Sequence, residues 1–294
     1  MKIAFVTDTG TGQHPDYWKE KGIYCLPLQI TCDGESKDEY TEITYSEVIQ
    51  KLHEKKVLKT SLPSLGKIQD CFEELKNEGY DTIFNSSKQY DTMLAVPICR
   101  GLSGTLDSME MIANQLEMKF VGVDCYCTAV EQGCMIETAK KMYEANIPID
   151  EIIKKLQSIA DSCETVLLCD DLDHMKRGGR LTPMAAALGG LLKIKPVLHI
   201  GKSTNGKVDV LDKVRTMKRA QDRVIKHLKE LNVDSNYTFI VAHVDALDAA
   251  KEYAQKIESQ IEGAKVKVIN LVSAVGIHTG LGCLALQVFN EMKD

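Results

Sequence analysis

The sequence predicts an α/β protein of two domains: residues 1–163 form a parallel-rich sheet flanked by helices, and residues 164–294 form an α/β domain with a mixed sheet. Three observations predict it. Short apolar, β-rich runs alternate with amphipathic helical patterns through the first half. The second half clusters its strands differently, around one hairpin signal and two long helical patterns. A chain of 294 residues, 44% hydrophobic and 27% charged, has the size and make-up of an ordinary globular protein with a sizeable core.

In chain order, residues 3–7 and 26–31 read as buried strands, and 46–54 and 68–76 carry apolar residues at helical spacing. Strand 93–98, helix 107–116, strand 120–123 and helix 133–144 complete the first half. Such alternation makes neighbouring strands parallel, because each crossover lays a helix on the sheet. Asp8, Ser61 and Ser103 then fall at carboxyl ends of strands, where ligands bind in sheets of this kind, and are expected on one rim. Tyr80-Asp81-Thr82-Ile83 is echoed by Tyr90-Asp91-Thr92-Met93, a short local duplication around residues 84–89.

Pro148 leads into a helix at 151–160, and strand 165–169 opens the second half. Arg177-Gly178-Gly179-Arg180 is a glycine turn, followed by an apolar helix from Met184 to Leu192 and a second turn at Pro196. Strands 197–201 and 207–211 are joined by Ser203-Thr204-Asn205-Gly206, with Asn-Gly suited to a hairpin turn. Helix 216–231, strand 237–243, helix 247–261, strand 265–271 and strand 284–289 follow.

Charge and cysteine usage exclude several functions. With 36 basic against 42 acidic residues the net charge is −6, the wrong sign for a nucleic-acid surface. Lys213, Arg215, Lys218 and Arg219 form a local basic stretch, either a solvated helix face or a docking patch for an acidic partner. The ten cysteines are scattered without a Cys-x-x-Cys pair, so neither a metal nor a disulfide framework is expected; Cys125 and Cys127 are the closest pair, on one face if they lie in a strand. Residues 1–6 enter a strand pattern without a signal peptide's charged and apolar regions, and the apolar runs are too short to span a bilayer. The expected location is the cytoplasm, with at most transient membrane contact.

Polar turns carry the chemistry: Thr60-Ser61-Leu62-Pro63-Ser64, Gly101-Leu102-Ser103-Gly104-Thr105 and Gly276-Ile277-His278-Thr279-Gly280. Hydroxyls, free turn amides at a helix start and an imidazole suit a carboxylate or a phosphate. The Ser103-Gly104-Thr105 turn serves helix capping and anion binding alike. A Ser103–His278 nucleophile pair lacks a Gly-x-Ser-x-Gly elbow, and no catalytic residue is assigned. Asp170-Asp171-Leu172-Asp173 reads as a helix cap or a balance for nearby cations rather than as a magnesium site. The segment facing the polar rim is too apolar for a sugar phosphate, whereas a long acyl chain satisfies both ends. Burial of about a dozen methylenes contributes roughly 10 kcal/mol gross, so the tail sets affinity and the rim sets orientation.

Taken in order with Thr7-Asp8-Thr9-Gly10, Gly-Gly-Arg and Ile-Lys-Pro, these turns resemble the DegV family of bacterial fatty-acid-binding proteins, from Lys2 to about the last ten residues. The resemblance implies a fatty acid whose carboxylate sits between the domains and whose tail lies in the carboxyl-terminal domain. It implies a carrier with no cofactor of its own, serving as the fatty-acid-binding subunit of a separate ATP-dependent fatty acid kinase that makes acyl phosphate. Carried over by position, Thr60 and Ser103 contact the carboxylate, with His278 close by and Ser61 and Gly104 in support. Met184, Leu188, Leu191 and Leu192 are expected at the tail, and Arg215 at the kinase-docking surface. Cys99-Arg100 replace the family's usual pair of serines, and a short segment near residues 84–90 is extra; both bear on ligand choice. The alternative to a carrier is a stand-alone phosphotransferase or hydrolase using the same Ser/His/Gly-rich rim. A third reading is a regulatory or structural protein whose lipid completes the core.

Overall fold

The computed structural model describes residues 2–76, 79–81, 86–88, 90, 92–188 and 194–292. The first half is built on a four-stranded sheet in the order β2 (Tyr24–Leu26), β1 (Ile3–Asp8), β8 (Thr92–Ala95), β9 (Lys119–Gly122), all parallel. β1 is buried along its whole length, as a strand covered on both faces must be. Its side chains alternate between two cores. Ile3 and Phe5 pack toward α5 (Val130–Glu144) and α6 (Ile149–Ser162), and Ala4 and Val6 toward α3 (Leu65–Lys76) and α4 (Thr105–Gln115).

Residues 26–31 are not one strand. Pro27 lacks the N–H that a ladder needs, and the chain leaves β2 there to start β3 (Gln29–Cys32). β3 is the middle of an antiparallel sheet with β4 (Glu35–Asp38) and β5 (Leu58–Ser61). This small sheet, which the sequence pattern does not reveal, carries Thr60 and Ser61. Two further helices belong to this half: α1 (Pro15–Glu20), which packs by β2, and α2 (Tyr45–His53), whose start is fixed by a capping box between Thr44 and Glu47. β6 (Gly79–Asp81) and β7 (Ser86–Lys88) pair antiparallel; the rest of the echoed segment at 82–85, 89 and 91 lies outside the described residues.

The second half holds a six-stranded mixed sheet in the order β12 (Asp209–Val214), β11 (Lys195–Gly201), β10 (Glu164–Leu168), β15 (Leu284–Phe289), β13 (Thr238–His243), β14 (Val266–Asn270). All its pairs are antiparallel except β13 with β14. One face packs under α9 (Met217–Glu230) and α10 (Leu247–Gln260), with Val166, Val197, Val224, Val241, Tyr253 and Leu286 in the core between. The other face, with Leu167, Leu198, Ile200, Ala242 and Ala285, belongs to the same core as Phe5 and Met135 of the first half. Apolar packing therefore runs continuously between the halves.

The expected hairpin forms between β11 and β12, and Asn205 and Gly206 at its tip take φ of 53° and 69°. Its tip docks on the first half: Cys99 Sγ lies 3.5 Å from the Gly206 carbonyl, and a Cβ at Gly101 would sit 1.9 Å from that oxygen. α7 (Leu172–Gly178) is capped by Asp171, which accepts from His174 N at 2.8 Å, and Asp170 pairs with Lys195 at 2.7 Å. The apolar run after Arg180 forms only a short helix, α8 (Pro183–Ala186); residues 189–193 lie outside the described residues. Gly276 to Gly280 is not a turn but the end of α11 (Ser273–Thr279). Among the described residues no helix is long and apolar enough to cross a membrane.

Candidate functional site

A cavity lies where the inner face of the six-stranded sheet meets the first half. Its walls are apolar, with Leu167, Ile200, Ile240, Ile269, Leu271 and Ala285 from the sheet and its edges, and Ile98 and Leu102 from the loop after β8. Polar groups gather at Thr60, Ser61, Ser103, Arg180, His278 and Thr279.

These groups come from four separate elements. Thr60 is on β5, opposite Ile30. Ser103 is in the turn that opens α4, where its amide and that of Leu102 both donate to the Cys99 carbonyl. Arg180 follows the turn that ends α7, in which Gly179 takes φ of 71°. His278 and Thr279 close α11. Thr60 Oγ1 and His278 Nε2 lie 2.6 Å apart, which joins the small sheet of the first half to a helix of the second. α7 abuts His278 so closely that a Cβ on Gly178 would stand 2.5 Å from its Nδ1.

The electrostatics follow from burial. The His278 imidazole is pushed down to about 4, chiefly by burial and further by the charges of Arg180 and His174, so it is neutral at neutral pH. Arg180 is half-buried, and burial lowers its affinity for its proton. Its guanidinium donates to the Gly178 carbonyl at 2.6 Å and to the Leu102 carbonyl at 3.4 Å, and among the described residues no carboxylate pairs with it. It is the charged side chain among the described residues lining the cavity. Thr279 Oγ1 is buried without a hydrogen-bond partner there. A cation without a carboxylate partner, hydroxyls and a neutral imidazole at an otherwise apolar cavity suit a long apolar molecule with a single negative charge.

The structure brings Thr60, Ser61, Ser103 and His278 together, as expected. Gly104 stands just outside, exposed at the N-cap of α4, where no side chain caps the helix; the Ser103 hydroxyl bonds Thr105 Oγ1 at 2.8 Å instead. Asp8 is not on the rim. It is fully buried, accepting from Gly10 N, Ile98 N and Gln132 Nε2, and serves to tie β1 to the next loop and to α5. His278 faces Thr60 rather than Ser103, so the Ser103–His278 pair is not formed.

Two of the four residues expected at the tail fall among the described residues. Met184 is 62% exposed and Leu188 is buried, and neither lines the cavity, because α8 packs against β12 at the sheet edge. Leu191 and Leu192 lie outside the described residues. Cys125 and Cys127 sit in the loop after β9 rather than in a strand, and Cys127 reaches the cavity wall. Arg215 is exposed just before α9, whose cap is Thr216. Arg180 and Thr279, which also line the cavity, are not among the expected residues, although the Arg-Gly-Gly-Arg turn and the polar end of the His278 segment are signals for them.

Beyond the mouth, Lys55, Lys59 and Arg177 surround a second recess that shares Thr60, Arg180 and His278 with the cavity.

Comparison with known proteins identifies the family. Residues 2–291 match the family described as "Uncharacterised protein, DegV family". A DegV domain-containing protein of Halalkalibacterium halodurans is 30% identical over 294 residues, covering 99% of each chain. Among solved structures, a fatty acid binding DegV family protein from Streptococcus agalactiae is similar with a TM-score of 0.86, at 28% identity over 99% of each chain. DegV, a fatty acid binding protein from Bacillus subtilis, is similar with a TM-score of 0.82, at 25% identity over 99% of each chain. The ordered turns, the α/β fold with its parallel and mixed sheets and a family match over nearly the whole length agree, and the chain belongs to the DegV family.

Proposed function

We propose that this protein binds a long-chain fatty acid, with the carboxylate at Thr60, Ser103, His278 and Arg180 and the acyl tail between the inner sheet face and the first half. The observation that carries the reading is that one cation, which meets backbone carbonyls but no carboxylate among the described residues, stands at an apolar cavity. In this reading the His278 Nε2–H donates to Thr60 Oγ1, which leaves the Thr60 hydroxyl proton to donate to the carboxylate. Arg180 supplies the counter-charge, and the tail contacts are Leu167, Ile200, Ile240 and Ile269 rather than Met184.

The protein then acts as a carrier without turnover of its own and presents the carboxylate to a separate ATP-dependent kinase for acyl-phosphate formation. Lys55, Lys59 and Arg177 around the mouth support this, since a phosphate-bearing partner site meets cations there. Arg215, exposed on the neighbouring domain, is the candidate docking residue, and residues 163–164 are the proposed domain boundary.

Mass spectrometry of the protein purified without added lipid, native and then denatured, tests the ligand class. One fatty acid released per chain is the expected result. A phosphorylated metabolite, or no uptake of added fatty acid, overturns it.

A further inference from the structure

The two strands that wall the cavity carry a second cluster on their opposite face. β10 and β11 pair with Thr165 opposite Ile200 and Val166 opposite His199. Residues facing each other across a ladder share a side, so Thr165, Leu167 and Ile200 enter the cavity while Glu164, Val166 and His199 point toward α9. His227 of α9 meets them there. Glu164 Oε1 lies 2.9 Å from His199 Nδ1 and 2.9 Å from His227 Nε2. The three side chains are 10%, 15% and 13% exposed, in that order.

Two imidazole nitrogens and a carboxylate oxygen thus converge from two strands and a helix, with all three atoms within 4.8 Å of one another. A tetrahedral ion bound at about 2.0–2.2 Å holds such donors about 3.3 Å apart, so small side-chain adjustments suffice. His227 Nδ1, the outer nitrogen of its ring, stands 3.9 Å from Glu230 Oε2. With its proton on the outer nitrogen, each imidazole offers the inner lone pair to an ion without turning its ring, as metal-bound histidines do.

We propose that Glu164, His199 and His227 bind a divalent transition ion, zinc foremost, with water completing the coordination. The ion fastens α9 to β10 and β11 and so stiffens the cavity wall from behind. The site was invisible in the sequence because its residues are 35 and 63 positions from Glu164 and belong to no spacing motif.

The test is a titration of the chelator-treated full-length protein with Zn²⁺ alone, and then with Co²⁺ as a spectroscopic substitute. Wild type is expected to take up one Zn²⁺ with a rise in Tm, and Co²⁺ to give weak d–d bands without a thiolate charge-transfer band. His199→Ala is expected to lose about 100-fold or more in affinity. His227→Gln keeps a donor to Glu164, so it retains the fold by circular dichroism while losing the metal-induced rise in Tm. No Zn²⁺ uptake by wild type, undiminished uptake by the folded His227→Gln protein, or a thiolate band overturns the proposal. Fatty-acid uptake is read separately, so neither result stands in for the other.

Discussion

His278 is held from two sides, by Thr60 at 2.6 Å and by the bare Cα of Gly178, where an added Cβ would lie 2.5 Å from Nδ1. Alanine at position 178 pits two effects against each other. In the last turn of α7 it favours the helix by about 1 kcal/mol, yet it pushes the imidazole off Thr60. Gly178→Ala is expected to lower fatty-acid affinity about 10-fold, measured by calorimetry; a higher Tm with unchanged affinity would contradict this packing. Arg180→Met separates binding from stability. The guanidinium is half-buried with carbonyl partners but no carboxylate, so its removal relieves a desolvation cost in the free protein. Tm is expected to hold or rise while fatty-acid affinity falls by about 1.5–3 kcal/mol, roughly 10- to 150-fold. A drop in Tm with unchanged affinity would mean that Arg180 is a structural residue.

The hairpin of β11 and β12 is the element that locks the two halves near the site. Its Asn205-Gly206 tip presses on Gly101, two residues before Ser103, with no room for a side chain. Gly101→Ala must push the hairpin away. It is expected to cost at least about 2 kcal/mol in denaturant unfolding and to weaken fatty-acid binding with it; a loss below about 0.5 kcal/mol would mean that the contact is loose. The hairpin itself was legible, since Asn-Gly states its own turn, whereas its docking partner is a tertiary contact that no local pattern records. The same division holds elsewhere. α4, α6 and α9 show in the sequence because each buries one stripe, such as Ile152, Leu156 and Ile159 in α6. α1 and the sheet of β3, β4 and β5 do not, being too short for a period to emerge. The glycines of α11 suggest a turn, but its burial among Val244 and Leu271 favours helix over composition. Met184 stands off the cavity wall for the converse reason: an apolar run says that something is covered, not which side of a sheet covers it.

At the scale of the whole molecule, buried acids at the seam make its stability depend on pH. Glu39 accepts from Thr9 Oγ1 at 2.5 Å and from Ala274 N at 2.7 Å, and so holds the start of α11 to the first half. Burial pushes its carboxyl up to about 8 against those two bonds, and burial likewise pushes Asp8 up to about 6. Glu131, fully buried with both carboxyl oxygens unpartnered among the described residues, is raised well above the ordinary value. In each case the native state keeps a proton that the unfolded chain releases. The contribution is complete below the unfolded value and is lost as pH rises through the folded one. His278 runs the other way: neutral in the fold down to about 4, it adds stability as pH rises toward about 6.5, its unfolded value. Between about pH 6.5 and pH 8 the histidine is finished and Glu39 is still titrating, so stability falls. Wild type is expected to lose about 2 kcal/mol more than Glu39→Gln across that interval, at about 1.4 kcal/mol per pH unit. Glutamine keeps the acceptor for Ala274 N but has no proton to lose, so the difference isolates the titration from the contact. Parallel stability curves for the two proteins would show that Glu39 is already ionised in the fold, and the seam between the halves would then owe its hold to the charged carboxylate.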